Sequence, residues 1–106
     1  DVIFEVPFDV VAEKNAGVKS TLNGKVIFSS WTAETGHVIA IQHSNDLISI
    51  YKHNSVLLKK EGAIVKAGEV IAIVGNSGEF TTGPHLHFEI WFKGSPLSPT
   101  EVINFE

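Results

Sequence analysis

Cysteine is absent from these 106 residues, which excludes disulfides, a thiol nucleophile and thiolate zinc sites and leaves the redox compartment open. Arginine is absent too, since all eight basic residues are lysine. With a net charge of -4 and no guanidinium fork, the chain is not expected to take a nucleic-acid partner. No apolar run approaches the ~20 residues of a membrane-spanning helix, so no membrane span is expected, and no stretch has the pattern of a signal peptide. Methionine is missing even from the first position, and a start at Asp1 is expected of a processed or cut-down fragment of a longer chain. No window carries a sustained helical period, and nothing in the sequence is low in complexity or linker-like.

What is present defines one β-rich domain over residues 1–106. A composition 43% hydrophobic and 19% charged excludes an intrinsically disordered chain. Valine and isoleucine supply 23 residues against 13 for alanine and leucine, which favours strands. Turn signals recur at short intervals, from Asn23-Gly24 through Thr35-Gly36, Asn45-Asp46, Glu61-Gly62 and Ala67-Gly68 to Gly83-Pro84. Between them, short apolar runs predict strands at 3–6, 8–11, 17–20, 25–29, 38–43, 48–52, 70–74 and 86–92. One helical turn is predicted at the C-terminal end, where Ser98 and Glu101 match a capping box with Pro99 at the first helical position. A short echo links residues 17–27 with residues 65–71 and suggests two similar hairpins.

Five histidines remain in a chain with no other soft metal ligand. The strongest local pattern is Gly83-Pro84-His85-Leu86-His87-Phe88-Glu89-Ile90-Trp91-Phe92. Strand alternation puts Leu86, Phe88, Ile90 and Phe92 on a core face and His85, His87 and Glu89 on the other. Two imidazoles about 7 Å apart along one face would bind one metal together, or one would bind while its neighbour handles a proton. The bland alternative is a solvated polar face, but a Gly-rich loop over residues 75–83 leads directly into the pair. That loop lacks the Gly-Lys-Ser/Thr ending and precedes a strand, so it is not a phosphate cradle. Alternation along 48–52 puts Ser49, Tyr51 and His53 on one face, a second polar surface ending in a histidine. His43 is expected to bond turn backbone, and His37 to line an edge or groove. Asp9 interrupts an apolar strand and must reach solvent, a charge partner or a metal.

In order, Tyr51-Lys52-His53, Val65-Lys66-Ala67-Gly68, Gly75-Asn76-Ser77-Gly78 and Thr82-Gly83-Pro84-His85-Leu86-His87-Phe88-Glu89 resemble the lysostaphin/LytM-type zinc metallopeptidases. These enzymes cut peptide cross-links in bacterial cell walls. The likeness runs from about residue 8 to residue 102. It implies an all-β fold, a compact, barrel-sandwich-like antiparallel sheet domain with a groove, consistent with the strands read above. It implies Asp9 and His87 as zinc ligands, with His85 and His53 flanking the metal to activate water and stabilise the tetrahedral intermediate. The activity implied is peptide hydrolysis, zinc lowering the pKa of the attacking water and polarising the scissile carbonyl. Peptidoglycan peptides would be the substrate, and the place of action the extracytoplasmic cell envelope of a bacterium, periplasm or cell wall.

One departure stands out. The family's first ligand is a histidine four residues before the aspartate, and this chain has Glu5 there, with Pro7 where the family has glycine. Either Glu5 replaces the histidine, or a loop carrying it is missing between Pro7 and Phe8; the apolar character of Phe4-Glu5-Val6-Pro7 favours the missing loop. The competing function is a degenerate, non-catalytic domain of the same type that binds wall peptide or regulates a partner hydrolase. Residues 61–71 also resemble the hairpin of lipoyl- and biotinyl-carrier domains, but no lysine has the flanks a carrier lysine needs.

Overall fold

A computed structural model describes residues 8–11, 16–75 and 85–97, with the side chains of 8–11, 85, 86 and 97 outside that description. The predicted strand 3–6, the Pro7–Phe8 junction, Glu5, residues 76–84 of the Gly-rich loop and the helical turn at Ser98–Glu101 lie outside the described residues.

Among the described residues, nine strands form one antiparallel sheet and there is no helix. They are β1 (Phe8–Val11), β2 (Gly17–Lys19), β3 (Gly24–Thr32), β4 (Gly36–Gln42), β5 (Leu47–Leu57), β6 (Ile64–Val65), β7 (Val70–Val74), β8 (His85–Phe92) and β9 (Ser95–Leu97). The all-β expectation holds. Turn chemistry explains the breaks: Gly36, Gly62, Gly68 and Gly94 all take positive φ, the region that glycine enters without a steric cost. Two short strands, β6 and β9, carry too few residues to show a period. The sequence echo is real in space, although the repeats interlock instead of forming separate hairpins: β2 pairs β7 and β3 pairs β6.

The main path of the sheet runs β1-β8-β5-β4-β3-β6. β5 is the pivot. Its residues 47–52 pair β8, and from Asn54 onward it pairs β7 instead. A strand that changes neighbours must turn a corner, and corners are made by bulges. The ladder registers slip on both sides of it, between His37 and Ile39 and between Asn54 and Val56.

The core lies on one face, where Val26, Ile39, Ile41, Tyr51, Val65, Ile71, Ala72, Phe88 and Ile90 are buried. Tyr51 and Phe88 pack ring on ring at 5.2 Å. The polar face expected from Ser49 and Tyr51 does not exist, because both are fully buried. Tyr51 carries a hydroxyl that meets Thr21 Oγ1 and accepts from the Thr21 backbone N–H at 3.1 Å, so its polar end is satisfied. Ser49 meets His43 Nε2 at 2.7 Å.

That serine–histidine contact resembles a nucleophile and its base, but Ser49 is 0% exposed and no substrate can reach it. His43 Nδ1 donates to the Asn23 carbonyl at 2.7 Å, so Nε2 is the acceptor for the Ser49 hydroxyl. His43 therefore bonds backbone, as expected, although at Asn23 and not in its own turn. Burial lowers its pKa below 6.5, more than the Asn23 bond raises it. Below pH 6.5 the unfolded chain thus binds a proton that the folded chain resists. Its contribution is present above 6.5 and is lost as pH falls toward the folded value. Denaturant midpoints measured from pH 7.5 to 5 are expected to fall more steeply for the native chain than for a His43→Asn variant.

Candidate active site

The face of β8 opposite the core carries His87 and Glu89, as strand alternation predicts, and the same alternation extends to Trp91. Register extends this row sideways. Asp9 on β1 is the cross-strand partner of His87, and Lys52 on β5 is its partner on the other side. The two expected ligand positions, Asp9 and His87, therefore stand directly opposite each other on paired strands. His85 pairs with Val11 two positions along. The side chains of Asp9 and His85 lie outside the described residues.

Glu89 organises this face. Its Oε2 accepts from Lys52 Nζ at 2.7 Å and from His87 Nε2 at 2.9 Å, and its Oε1 accepts from Trp91 Nε1 at 2.9 Å. The His87 hydrogen bond, followed by those of Lys52 and Trp91, holds the carboxyl at about 2 against the opposing effect of burial. An ionised carboxylate only accepts, so Nε2 of His87 carries the proton and Nδ1 is the nitrogen it would offer to a metal. Sequence reading placed Glu89 on the right face and gave it no role; Lys52 and Trp91 were missed. The alternation His87, Glu89, Trp91 was the signal available.

His53 reaches the same place by a different route. Regular alternation along β5 would send it into the core with Ser49 and Tyr51. Its φ is instead +64°, and its ring stands edge-on to that of His87 with centroids 5.9 Å apart. A left-handed conformation at a non-glycine residue costs on the order of 1–3 kcal/mol and persists only where surrounding structure enforces it. Here the His53 N–H donates to the Thr35 carbonyl at 2.7 Å, and its carbonyl accepts from the Gly75 N–H at 3.2 Å. Gly75 fits this corner because it lacks a side chain: a Cβ there would stand 2.5 Å from Ser55 Cβ and 2.7 Å from Ser55 N. Gly75→Ala is expected to cost about 1–3 kcal/mol through overpacking, read as a lower denaturant midpoint at unchanged slope.

His37 sits on β4, an interior strand of the sheet, paired to Trp31 on β3 and Asn54 on β5, so it does not lie on an edge strand. Among the described residues, no group of three or more His, Asp or Glu side chains is placed to hold a metal.

The model of the family described as Peptidase family M23 matches residues 6–99. The murein hydrolase activator NlpD of Escherichia coli is 36% identical over 96 residues, which is 90% of this chain and 25% of that protein. The chain thus spans about a quarter of the length of the curated relatives it matches first. A zinc-containing peptidase of Vibrio cholerae superposes with a TM-score of 0.81 at 36% identity, covering 86% of this chain and 28% of that one. The catalytic domain of lysostaphin from Staphylococcus simulans gives 0.81 at 27% identity over 92% of this chain and 77% of that one. A family match across nearly the whole chain, a shared curled antiparallel sheet and the ordered His53, His85 and His87 motifs lead to one assignment: the chain belongs to peptidase family M23.

Proposed function

We propose that this domain is a zinc metalloendopeptidase of the bacterial cell envelope that hydrolyses peptide bonds in peptidoglycan cross-links. The observation that carries this reading is the row Asp9–His87–Lys52 across three paired strands, with the His53 ring edge-on to His87. The donor types suit zinc, being one carboxylate and one imidazole whose far nitrogen is fixed by a second carboxylate. Asp9 and His87 would hold the ion, which when bound would polarise the scissile carbonyl and acidify the attacking water. The chain's own groups do the rest. Glu89 keeps the His87 ring in one tautomer and orientation, while Lys52 and Trp91 keep Glu89 ionised and in place. His53 and His85 would take the proton of the attacking water and return it to the leaving amine. The envelope location and the peptide substrate draw support from a relative that is a murein hydrolase activator and from an antimicrobial peptidase of the same fold.

A second reading has a specific observation behind it. The resemblance implies three ligands, and this chain offers two at matching positions, Asp9 and His87, with Glu5 four residues before Asp9 where the family has histidine. A domain short of one ligand would bind wall peptide or regulate a partner hydrolase without cutting, and NlpD is by name a murein hydrolase activator. Native mass spectrometry with zinc supplied separates the two. One zinc per chain is the result expected of the peptidase, and a metal-free chain in excess zinc would favour the activator.

A further inference from the structure

We propose that Asn54 is a positioning residue: its buried carboxamide locks the corner of β5 that turns His53 out of the core alternation and onto His87. Asn54 is 0% exposed, in the inward place that regular alternation would have given to His53. Its Nδ2 donates to the Tyr51 carbonyl and to the His37 carbonyl, each at 2.9 Å. One amide nitrogen, with two hydrogens, thereby ties β5 to itself across the corner and to β4 at the slipped register. A hydroxyl has one hydrogen and a carboxylate none, so no other side chain of this size makes both bonds. The backbone pins on His53, to Thr35 and Gly75, fix where its peptide groups lie. Asn54 favours the turned chain, because without it the Tyr51 carbonyl would lose a buried side-chain donor and the His37 carbonyl a part-buried one. The geometry stands by itself; only its consequence for turnover rests on the peptidase reading above.

The test uses Asn54→Leu, which keeps the branched outline and removes both donors, and Asn54→Ser, which keeps one. In folded variants the nuclear Overhauser contact between the His53 and His87 rings is expected to disappear. The cleavage kcat is expected to fall by ~10²-fold, as for a reacting group displaced by about 1 Å, at unchanged zinc content and KM. The loss should be smaller in Asn54→Ser. A folded Asn54→Leu chain that keeps the ring contact overturns the proposal. Should neither variant fold, the native chain is read directly by scalar couplings across hydrogen bonds from Asn54 Nδ2 to the carbonyl carbons of Tyr51 and His37. Their presence supports the lock, and their absence overturns it. A native chain that never cleaves, but whose variants lose the ring contact, upholds the positioning role and sinks the peptidase reading. Equal cleavage by native and variant chains does the reverse.

Discussion

His87→Ala is expected to lower peptidoglycan cleavage by ~10³-fold or more while the domain stays folded. His87 is the position where three independent features meet. Its cross-strand partner is Asp9, its Nε2 is held by Glu89 at 2.9 Å, and its ring faces His53 at 5.9 Å. A metal ion at such a site supplies several kcal/mol of transition-state stabilisation, and each 1.36 kcal/mol is tenfold in rate. The structural cost of the substitution is small by comparison. The ring sits on the polar face, and Glu89 keeps Lys52 and Trp91 as partners after the imidazole is gone. The His87 side chain is only 17% exposed, so removing the ring and its bond to Glu89 costs about 1–2 kcal/mol, roughly 4–16 °C in midpoint for a domain of this size. Thermal scans and cleavage assays on one preparation check both halves. Loss of activity together with collapse of the fold would mean that His87 is structural.

One residue along the strand, the expected result inverts. Phe88→Ala is expected to destabilise the domain by ~3–5 kcal/mol, the range for deleting a buried aromatic ring. Phe88 is 1% exposed, packs on Tyr51, and pairs with Phe8 on β1 and Tyr51 on β5. It therefore fastens from beneath the three strands whose upper face carries the candidate site. Total stabilities of 5–15 kcal/mol leave little after such a loss, and the thermal midpoint should fall by roughly 12–40 °C. A drop of less than about 1 kcal/mol in denaturant melts would show that the core does not depend on this ring. The adjacent pair thus separates chemistry from stability across the two faces of one strand.

The strand carrying this pair was legible in the sequence because nothing interrupts its alternation. His87, Glu89 and Trp91 fall on one face and Phe88 and Ile90 on the other, as period-two reading requires, although Phe92, expected in the core, is exposed at the strand's end. β5 was not legible beyond Lys52. No glycine or proline marks the corner at His53, and its conformation is set by Thr35, Asn54 and Gly75, of which two are distant in sequence. Alternation therefore assigned Ser49, Tyr51 and His53 to one polar face, whereas the first two are core and the third is turned away from it. The pairing of Asp9 with His87 is likewise a matter of register between strands some 80 positions apart, which no local pattern encodes. Family resemblance supplied those roles, and the register puts the two positions side by side. His43 shows the converse, since a serine–histidine contact of good geometry is inert when both partners are sealed in the core.

The most direct measurement is cleavage itself: purified cross-linked peptidoglycan incubated with the native chain and zinc, with new amino termini identified by mass spectrometry. Cut cross-link peptides are expected, and they should vanish with a chelator and with His87→Ala. Intact cross-links with the native chain, together with faster digestion when a separate wall hydrolase is added, would refute the peptidase reading.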